Sequence, residues 1–290
     1  MSSLAFVLIL FSALMHALWN LLVKRSGDKT VFIWWMFCAS GGLLNLLLLF
    51  IPGPFPSPTP EVLLLGAAGA ACFVFYHLFN GRAYRRGDLS LTYPLAQTSM
   101  FYVPLWGVWL LGERLSALGM AGIALIIVGA YTVQLRRLSA GEILRPFRSL
   151  ADPSVQAALA AGFIYSVGAV IDKTGVGLYP PFYFTYLLVM FMLFFMTLNL
   201  LRPSYRGRLM AELRLSRTLV ILSGPVLMGS FLAFRYGLKL APMSYAVPVR
   251  QVSLLIGVLI GVFFLRESCG RIRFAATALI LAGVFLIRLG

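Results

Sequence analysis

Acidic residues are scarce in this sequence. It has 9 Asp and Glu, 2 His and 3 Cys among its 290 residues, and only 11% of the residues are charged. The acidic residues are scattered, and no His-x-x-Glu-His, Gly-x-Ser-x-Gly or Asp-rich motif occurs. A membrane-embedded transferase or hydrolase needs clustered acids, or a nucleophile with its base. The sequence therefore disfavours an enzyme, and it predicts no catalytic residue, no metal site and no cofactor.

Apolar residues are abundant instead. They make up 60% of the chain, and the mean hydropathy is +0.91, which is too apolar for a water-soluble core. The net charge is +15, but the Lys and Arg lie in short gaps between apolar runs, so nucleic acid is not an expected partner. Cys38, Cys72 and Cys269 lack metal-ligand spacing and are expected to be free thiols. We expect a multi-pass protein of the cell (inner) membrane in contact with lipid, with a monomer favoured.

Ten apolar runs are long enough to cross a bilayer core of about 30 Å, which takes roughly 20 residues of helix. They are Leu4–Val23, Val31–Ile51, Glu61–Gly81, Leu89–Leu111, Leu115–Leu135, Pro153–Asp172, Pro181–Leu201, Thr218–Leu238, Met243–Leu265 and Phe274–Leu289. A polar, basic gap after the fifth run predicts two five-helix units, 1–137 and 153–290, joined by a linker at 138–152. Thr59-Pro60-Glu61 and Asp152-Pro153 indicate helix starts, because each places a capping side chain before a proline.

The stretches Ser90–Glu113 and Ser244–Glu267 align with each other without a gap. The matched positions are Ser90/Ser244, Pro94/Pro248, Gln97/Gln251, Ser99/Ser253, Gly107/Gly261 and Glu113/Glu267. Matches of these residue types in one register indicate an internal duplication. Because each unit has an odd number of spans, the two copies must enter the membrane from opposite sides. The predicted fold is an all-α membrane protein with ten transmembrane helices in two inverted five-helix repeats.

The distribution of Lys and Arg predicts the orientation. The gaps after spans one, three, five, seven and nine hold 18 of these residues, and the opposite side holds only Arg114, Lys173, Arg235, Lys239 and Arg288. Since cytoplasmic loops carry the excess of basic residues, both termini are predicted to be non-cytoplasmic.

Arg250 is the strongest candidate for a binding residue. It is the eighth residue of its span, roughly 10–12 Å deep at 1.5 Å per residue, where a charge is costly. It follows Pro248, which is expected to bend the helix and free a carbonyl. It could bind an anion at the centre of a cavity, or it could be a buried structural partner or a snorkelling side chain.

Other polar groups within spans could line the same cavity, although such residues also serve as interhelical hydrogen-bonding groups. The candidates are His16, His77, Tyr165, Asn20, the matched pair Gln97 and Gln251, Tyr102 and Trp106. An aromatic cavity wall, or else an interfacial belt, could be formed by Tyr76, Tyr93, Tyr102, Trp106, Trp109, Tyr186 and Tyr245. Structural or gating roles are expected for Pro94, Pro248, Glu113, Glu267, Lys24 and Lys173, with helix capping or ion pairing favoured for the two glutamates.

The two five-span units, the proline in the fourth span of each, and the segments Leu111-Gly112-Glu113-Arg114 and Leu265-Arg266-Glu267-Ser268 resemble the drug/metabolite transporter superfamily, in particular its EamA-type ten-helix carriers. The resemblance implies a central cavity, lined mainly by the first, third and fourth helices of each copy, and alternating access. His16-Ala17-Leu18-Trp19-Asn20 also resembles a subgroup associated with phosphonate utilisation. The first span has no acidic residue, unlike the four-helix multidrug relatives, so their exchange of protons for cationic drugs is not expected here.

The expected function is secondary transport of a small polar organic solute. Arg250, His16 and His77 face no interior carboxylate in the predicted spans, so an anionic or zwitterionic solute is favoured, such as an amino acid, an organic acid or a phosphonate. A flippase for a lipid-linked headgroup or sugar, built on the same fold, is the alternative.

Overall fold

The computed structural model describes residues 1–86, 95–96, 98–133, 135, 137–265 and 271–290, without the side chains of 84–86, 146–147 and 260–265. All regular elements in this part of the chain are helical. The α-helices are α1 (Ser3–Arg25), α2 (Lys29–Leu48), α3 (Pro60–Arg86), α4 (Ser99–Leu111), α5 (Ala117–Thr132), α6 (Ala140–Arg148), α7 (Pro153–Leu178), α8 (Pro181–Leu200), α9 (Arg208–Leu215), α10 (Arg217–Leu240), α11 (Met243–Arg250), α12 (Val252–Leu265) and α13 (Arg271–Leu289).

Seven of the described helices are long and apolar enough to cross a membrane, and the shorter apolar helices α4, α5 and α11–α12 occupy the remaining predicted spans. Two predicted segments differ in detail. The sixth span continues six residues beyond its predicted end at Asp172, to Leu178, so Asp172 lies inside a helix. The ninth span is interrupted at Gln251, three residues after Pro248. The segment predicted as a linker contains the short amphipathic helix α6.

The helix starts show how local sequence fixes the elements. The Asp152 carboxylate accepts a hydrogen bond from the Ser154 amide at 2.7 Å, and Thr59 Oγ1 accepts one from the Val62 amide at 3.3 Å, as predicted for both positions. The hydrogen bonds from Ser154 hold the pKa of the Asp152 carboxyl below its usual value, because they stabilise the charged form.

The helix contacts repeat in pairs that a twofold exchange of the two units would produce. Helix α3 packs against α7 and α8, while α10, the third helix of the second unit, packs against α1 and α2. Helices α5 and α13, the fifth of each unit, pack extensively against each other. The repeats predicted from sequence are therefore also related through their packing.

The contact between α5 and α13 depends on two glycines. A Cβ added to Gly122 would lie 2.5 Å from the Gly283 carbonyl oxygen, and one added to Gly283 would lie 2.5 Å from the Gly122 carbonyl oxygen. In the aligned repeats Gly283 matches Gly129, whose added Cβ would lie 2.9 Å from the Ala276 carbonyl oxygen. Small residues thus let the two helices approach at both equivalent positions.

Candidate functional site

A cavity of about 1310 Å³ lies between the two five-helix units. Its walls come mainly from α1, α3, α7, α10 and the broken α11–α12 pair, with Ala96 and Ser99 from the fourth span of the first unit. These are the first, third and fourth helices of each unit. A cavity of this size exceeds the usual range for small-ligand pockets, which is roughly 300–1,000 Å³.

Arg250 lies where α11 ends, at the wall of this cavity, and is 8% exposed. One of its terminal nitrogens donates to Ser230 Oγ at 3.0 Å and lies 3.4 Å from His16 Nδ1. Its guanidinium carbon is 4.3 Å from the centre of the Phe234 ring. A guanidinium can only donate hydrogen bonds, so a hydrogen bond at this contact requires a neutral imidazole with His16 Nδ1 as the acceptor. Among the described side chains, the groups that contact the guanidinium directly are all neutral.

An aromatic wall lines the cavity beside this charge. The Trp19 ring stands edge-on to His16 at 4.7 Å and to His77 at 5.8 Å between ring centres. Phe73 and Tyr76 extend the wall to Tyr165, at 5.9 Å and 5.2 Å. The Tyr165 hydroxyl also interacts with the Arg250 guanidinium. The site therefore combines one cation with flat apolar faces and a few hydroxyl and imidazole groups.

A second arginine borders the cavity but is neutralised. Arg235 of α10 donates from Nη2 to both carboxylate oxygens of Asp172 on α7, at 3.1 and 3.0 Å, and from Nε to Oδ1 at 3.3 Å. Asp172 and Arg235 are each 1% exposed. The Arg235 guanidinium carbon lies 4.9 Å from the Phe231 ring centre. This pair corrects two expectations from sequence. An interior carboxylate is present, and Arg235 is a buried residue of α10 and not part of a loop.

Several buried polar atoms at the cavity wall have no hydrogen-bond partner within the described part of the protein. They include Arg250 Nε, Trp19 Nε1 and Asn80 Oδ1, each belonging to a residue at most 8% exposed. Buried polar groups usually have a hydrogen-bond partner. Several such atoms without a partner in one cavity therefore indicate a place where a ligand or water binds. Two of the three are donors and one is an acceptor.

The predicted binding residues fall into three groups. Those that line the cavity are Arg250, His16, His77, Gln251, Tyr165 and Asn20. Tyr102 and Trp106 lie outside its lining, because both pack on Phe163 of α7 and Trp106 Nε1 donates to Ser166 Oγ at 3.0 Å. Gln97 lies outside the described residues, as do Pro94 and Glu267, for which structural or gating roles are predicted.

Among the predicted aromatic wall residues, Tyr76 is at the cavity. Trp109 is 72% exposed on the outer surface of the bundle, and the Tyr186 hydroxyl donates to Asn45 on α2. Tyr245 packs at the closed end of the cavity, and Tyr93 lies outside the described residues. The aromatic wall is therefore built largely from other residues than those predicted.

One end of the cavity is closed by contacts between the two units. The chain leaves α4 through Gly112 at φ 63°, and the Glu113 amide turns back to donate to the Gly107 carbonyl at 2.9 Å. The Glu113 carboxylate then accepts hydrogen bonds from the Met243 amide and from the Ser244 amide and hydroxyl, capping the N-terminus of α11. The Tyr245 hydroxyl accepts from the Ser116 amide at 2.9 Å.

Lys173 and Lys24, the two lysines predicted to have structural or gating roles, have different surroundings. Lys173 Nζ donates to the carbonyls of Leu238 and Ala241, both at 2.7 Å, and so caps the C-terminal end of α10 on the closed side. Lys24 lies at the opposite end of the cavity and lines it.

The open end of the cavity is ringed by basic side chains, which we call the basic mouth: Lys24, Lys29, Arg82, Arg202, Arg208 and Arg273. Arg208 pairs there with Asp28. The mouth belongs to the side of the bundle that holds most of the basic loops. A mouth with one sign of charge raises the local concentration of solutes of the opposite sign.

Trp19, Phe231, Phe234, Ser230, Asp172 and Arg235 belong to the site but were not selected from sequence. A signal existed for two of them, since Asp172 and Arg235 are opposite charges in predicted spans of the same unit, and charges in membranes tend to pair. The apolar residues carried no such signal, because aromatic side chains are common throughout the chain.

A bundle of apolar helices in two repeats around a polar cavity defines a multi-pass membrane protein built like a solute carrier. The family model of the EamA-like transporter family matches residues 3–135 and 153–289, so the chain belongs to that family. A crystal structure of another protein superimposes over 100% of this chain and 98% of its own, with a TM-score of 0.77 and 18% identity, which shows a shared fold. No curated protein matches the sequence.

Proposed function

We propose that this protein is a secondary transporter that carries a small polar organic solute with an anionic group across the cell membrane by alternating access. The observation that carries the proposal is Arg250, a cation at a helix break in the cavity wall whose direct contacts are with neutral groups. Broken helices at the centre of a bundle, with charged or polar groups at the break, are a recurring form of transporter binding site.

The unsatisfied polar atoms support an anion or zwitterion. Arg250 Nε and Trp19 Nε1 are donors and suit a carboxylate or phosphonate oxygen, whereas Asn80 Oδ1 is an acceptor and suits an ammonium or hydroxyl group. The aromatic faces of Trp19 and Phe73 would contact an apolar part of the solute. An amino acid, an organic acid or a phosphonate has this combination of groups.

The conformation corresponds to one half of the transport cycle. The cavity opens at the basic mouth and is closed at the end where Glu113 caps α11. If the basic side is cytoplasmic, as the positive-inside rule predicts, this is the inward-open state and both termini lie outside. The outward-open state would require the Glu113 and Tyr245 contacts between the two units to separate.

A ligand screen tests the substrate class. The purified protein would be heated with amino acids, monocarboxylates, phosphonates and quaternary amines, and the rise in Tm recorded for each. We expect solutes with an anionic group to raise Tm in a concentration-dependent way. Selective stabilisation by the amines would contradict the proposal. Saturable uptake of the best ligand into liposomes that contain only this protein would then separate a carrier of soluble compounds from a flippase.

A further inference from the structure

We infer that Asp172 sets the number of negative charges the site accepts, and that the buried Arg250–Arg235–Asp172 cluster is built for a solute with a single negative charge. The inference rests on the proposed function and deepens it. It concerns three charged groups that the sequence places in three different helices and the structure places together.

The net charge of the cluster follows from its contacts. Arg235 is held by Asp172 through three hydrogen bonds, and both are 1% exposed, so this pair contributes no net charge. Arg250 interacts with both charges, but among the described side chains its direct contacts are neutral, since a hydrogen bond from the guanidinium requires His16 to be neutral with Nδ1 as the acceptor. The cluster of Arg250, Arg235 and Asp172 therefore carries one net positive charge.

An uncompensated charge is costly to bury within the membrane. A solute with one anionic charge turns the cluster neutral, which is the cheapest state to bury and to carry through a closed intermediate. A dianion leaves one excess negative charge next to Asp172, and among the described residues no second unpaired guanidinium lies within the cluster to compensate it. Asp172 therefore acts against dianions in two ways: it occupies Arg235, and it repels the second charge.

The basic mouth does not discriminate in the same way. Its cations lie at the wet end of the cavity, where salt screens them within about 8 Å at physiological ionic strength. They attract any anion, and dianions more than monoanions. Selection for a single charge must therefore take place at the buried cluster.

The experiment compares two solutes of nearly the same size that differ by one charge, succinamate and succinate, with glutaramate and glutarate as a longer pair. Dissociation constants would be measured by calorimetry for the wild type, Asp172→Asn, Asp172→Asn with Arg235→Gln, and Asp28→Asn. The last variant is the control, because it removes the same charge from the mouth of the same cavity and an asparagine can still cap α2. Tm and monodispersity would be recorded for every variant.

We expect the wild type and Asp28→Asn to bind the monoanion of a pair about tenfold or more tightly than the dianion. Asp172→Asn should abolish or reverse this preference, and the double variant should restore it because the net charge returns to its original value. If Asp172→Asn does not fold, the double variant still tests the inference. Loss of the monoanion preference in the double variant would overturn it.

Two further outcomes distinguish a failure of the role of Asp172 from a failure of the proposed function. An unchanged preference in a folded Asp172→Asn protein would show that the ion pair is only structural and overturn the inference, while leaving the proposed transport of anions in place. A wild type that binds none of the four acids but is stabilised by amines would contradict the proposed function itself, and the inference with it.

Discussion

Glu113 and Ser244 join the two halves of the protein at the closed end of the cavity. The Glu113 carboxylate accepts hydrogen bonds from the Ser244 amide at 2.9 Å and from the Ser244 hydroxyl at 2.6 Å. The contact leaves no room for a side chain at position 107, because a Cβ on Gly107 would lie 2.1 Å from Ser244 Oγ and 2.5 Å from Glu113 Oε2. A charged cap at the start of a helix thus connects the first repeat to the second.

Glu113→Gln should weaken this closure. Glutamine has one accepting oxygen in place of the two that Glu113 uses, and it has no charge, whereas hydrogen bonds to charged groups contribute about 1.5–3 kcal/mol each. We expect a lower Tm and greater labelling by a membrane-impermeant thiol reagent of a cysteine placed at Met243, which is buried at the same end and contacts Glu113 through its backbone amide. Glu61→Gln is the control, since Glu61 is exposed in the first turn of α3. Equal labelling in both variants would show that Glu113 does not hold this end closed.

Gly122→Ala should disturb the packing of α5 on α13. The new methyl group would meet the Gly283 carbonyl oxygen, a backbone atom that cannot move away cheaply, so we expect a loss of about 1–3 kcal/mol in the free energy of unfolding. Gly42→Ala in α2 is the matched control, because nothing lies within 4 Å of its added Cβ. Denaturation in mild detergent compares the two. A Gly122→Ala protein as stable as Gly42→Ala would contradict the close approach of these helices.

Trp19 and Trp106 provide a test of where ligands bind. Trp19→Phe removes an indole donor that has no protein partner among the described residues, so ligand affinity should fall about three- to tenfold with little change in Tm. Trp106→Phe removes the hydrogen bond to Ser166, so Tm should fall while affinity is kept. Titration of the best ligand from the screen measures both. The reverse pattern would place the site at the seam between α4 and α7.

The basic mouth should control the rate of capture more than the affinity. Arg82→Gln combined with Arg202→Gln removes two of its charges, so the association rate of an anionic ligand should fall at low salt. The difference from wild type should shrink as salt is raised, because screening already suppresses the attraction. Stopped-flow tryptophan fluorescence follows the rate. An effect that is independent of salt would indicate direct contact with the ligand.

The sequence predicts the scaffold well because the scaffold follows from apolar runs, helix-capping residues and a duplicated pattern. It also identifies Arg250, because a charge in an apolar run is conspicuous. It does not show that Arg235 and Asp172 neutralise each other, since that depends on how α10 packs on α7. For the same reason Tyr102 and Trp106 could not be distinguished from Trp19 and Phe73, because all are aromatic residues in apolar spans.

The central claim is that Arg250 binds the anionic group of the solute. The most direct test is saturable uptake of the best ligand into liposomes by Arg250→Gln, with Arg288→Gln as the matched control. Arg288 is also an arginine of an apolar helix, but it donates to the Met1 carbonyl and the Ser3 hydroxyl near the end of the chain. Removing one partner of a buried charged pair costs about 2–5 kcal/mol, so affinity should fall about 30-fold or more in Arg250→Gln and remain unchanged in Arg288→Gln. A folded Arg250→Gln protein that transports with wild-type affinity would contradict the account.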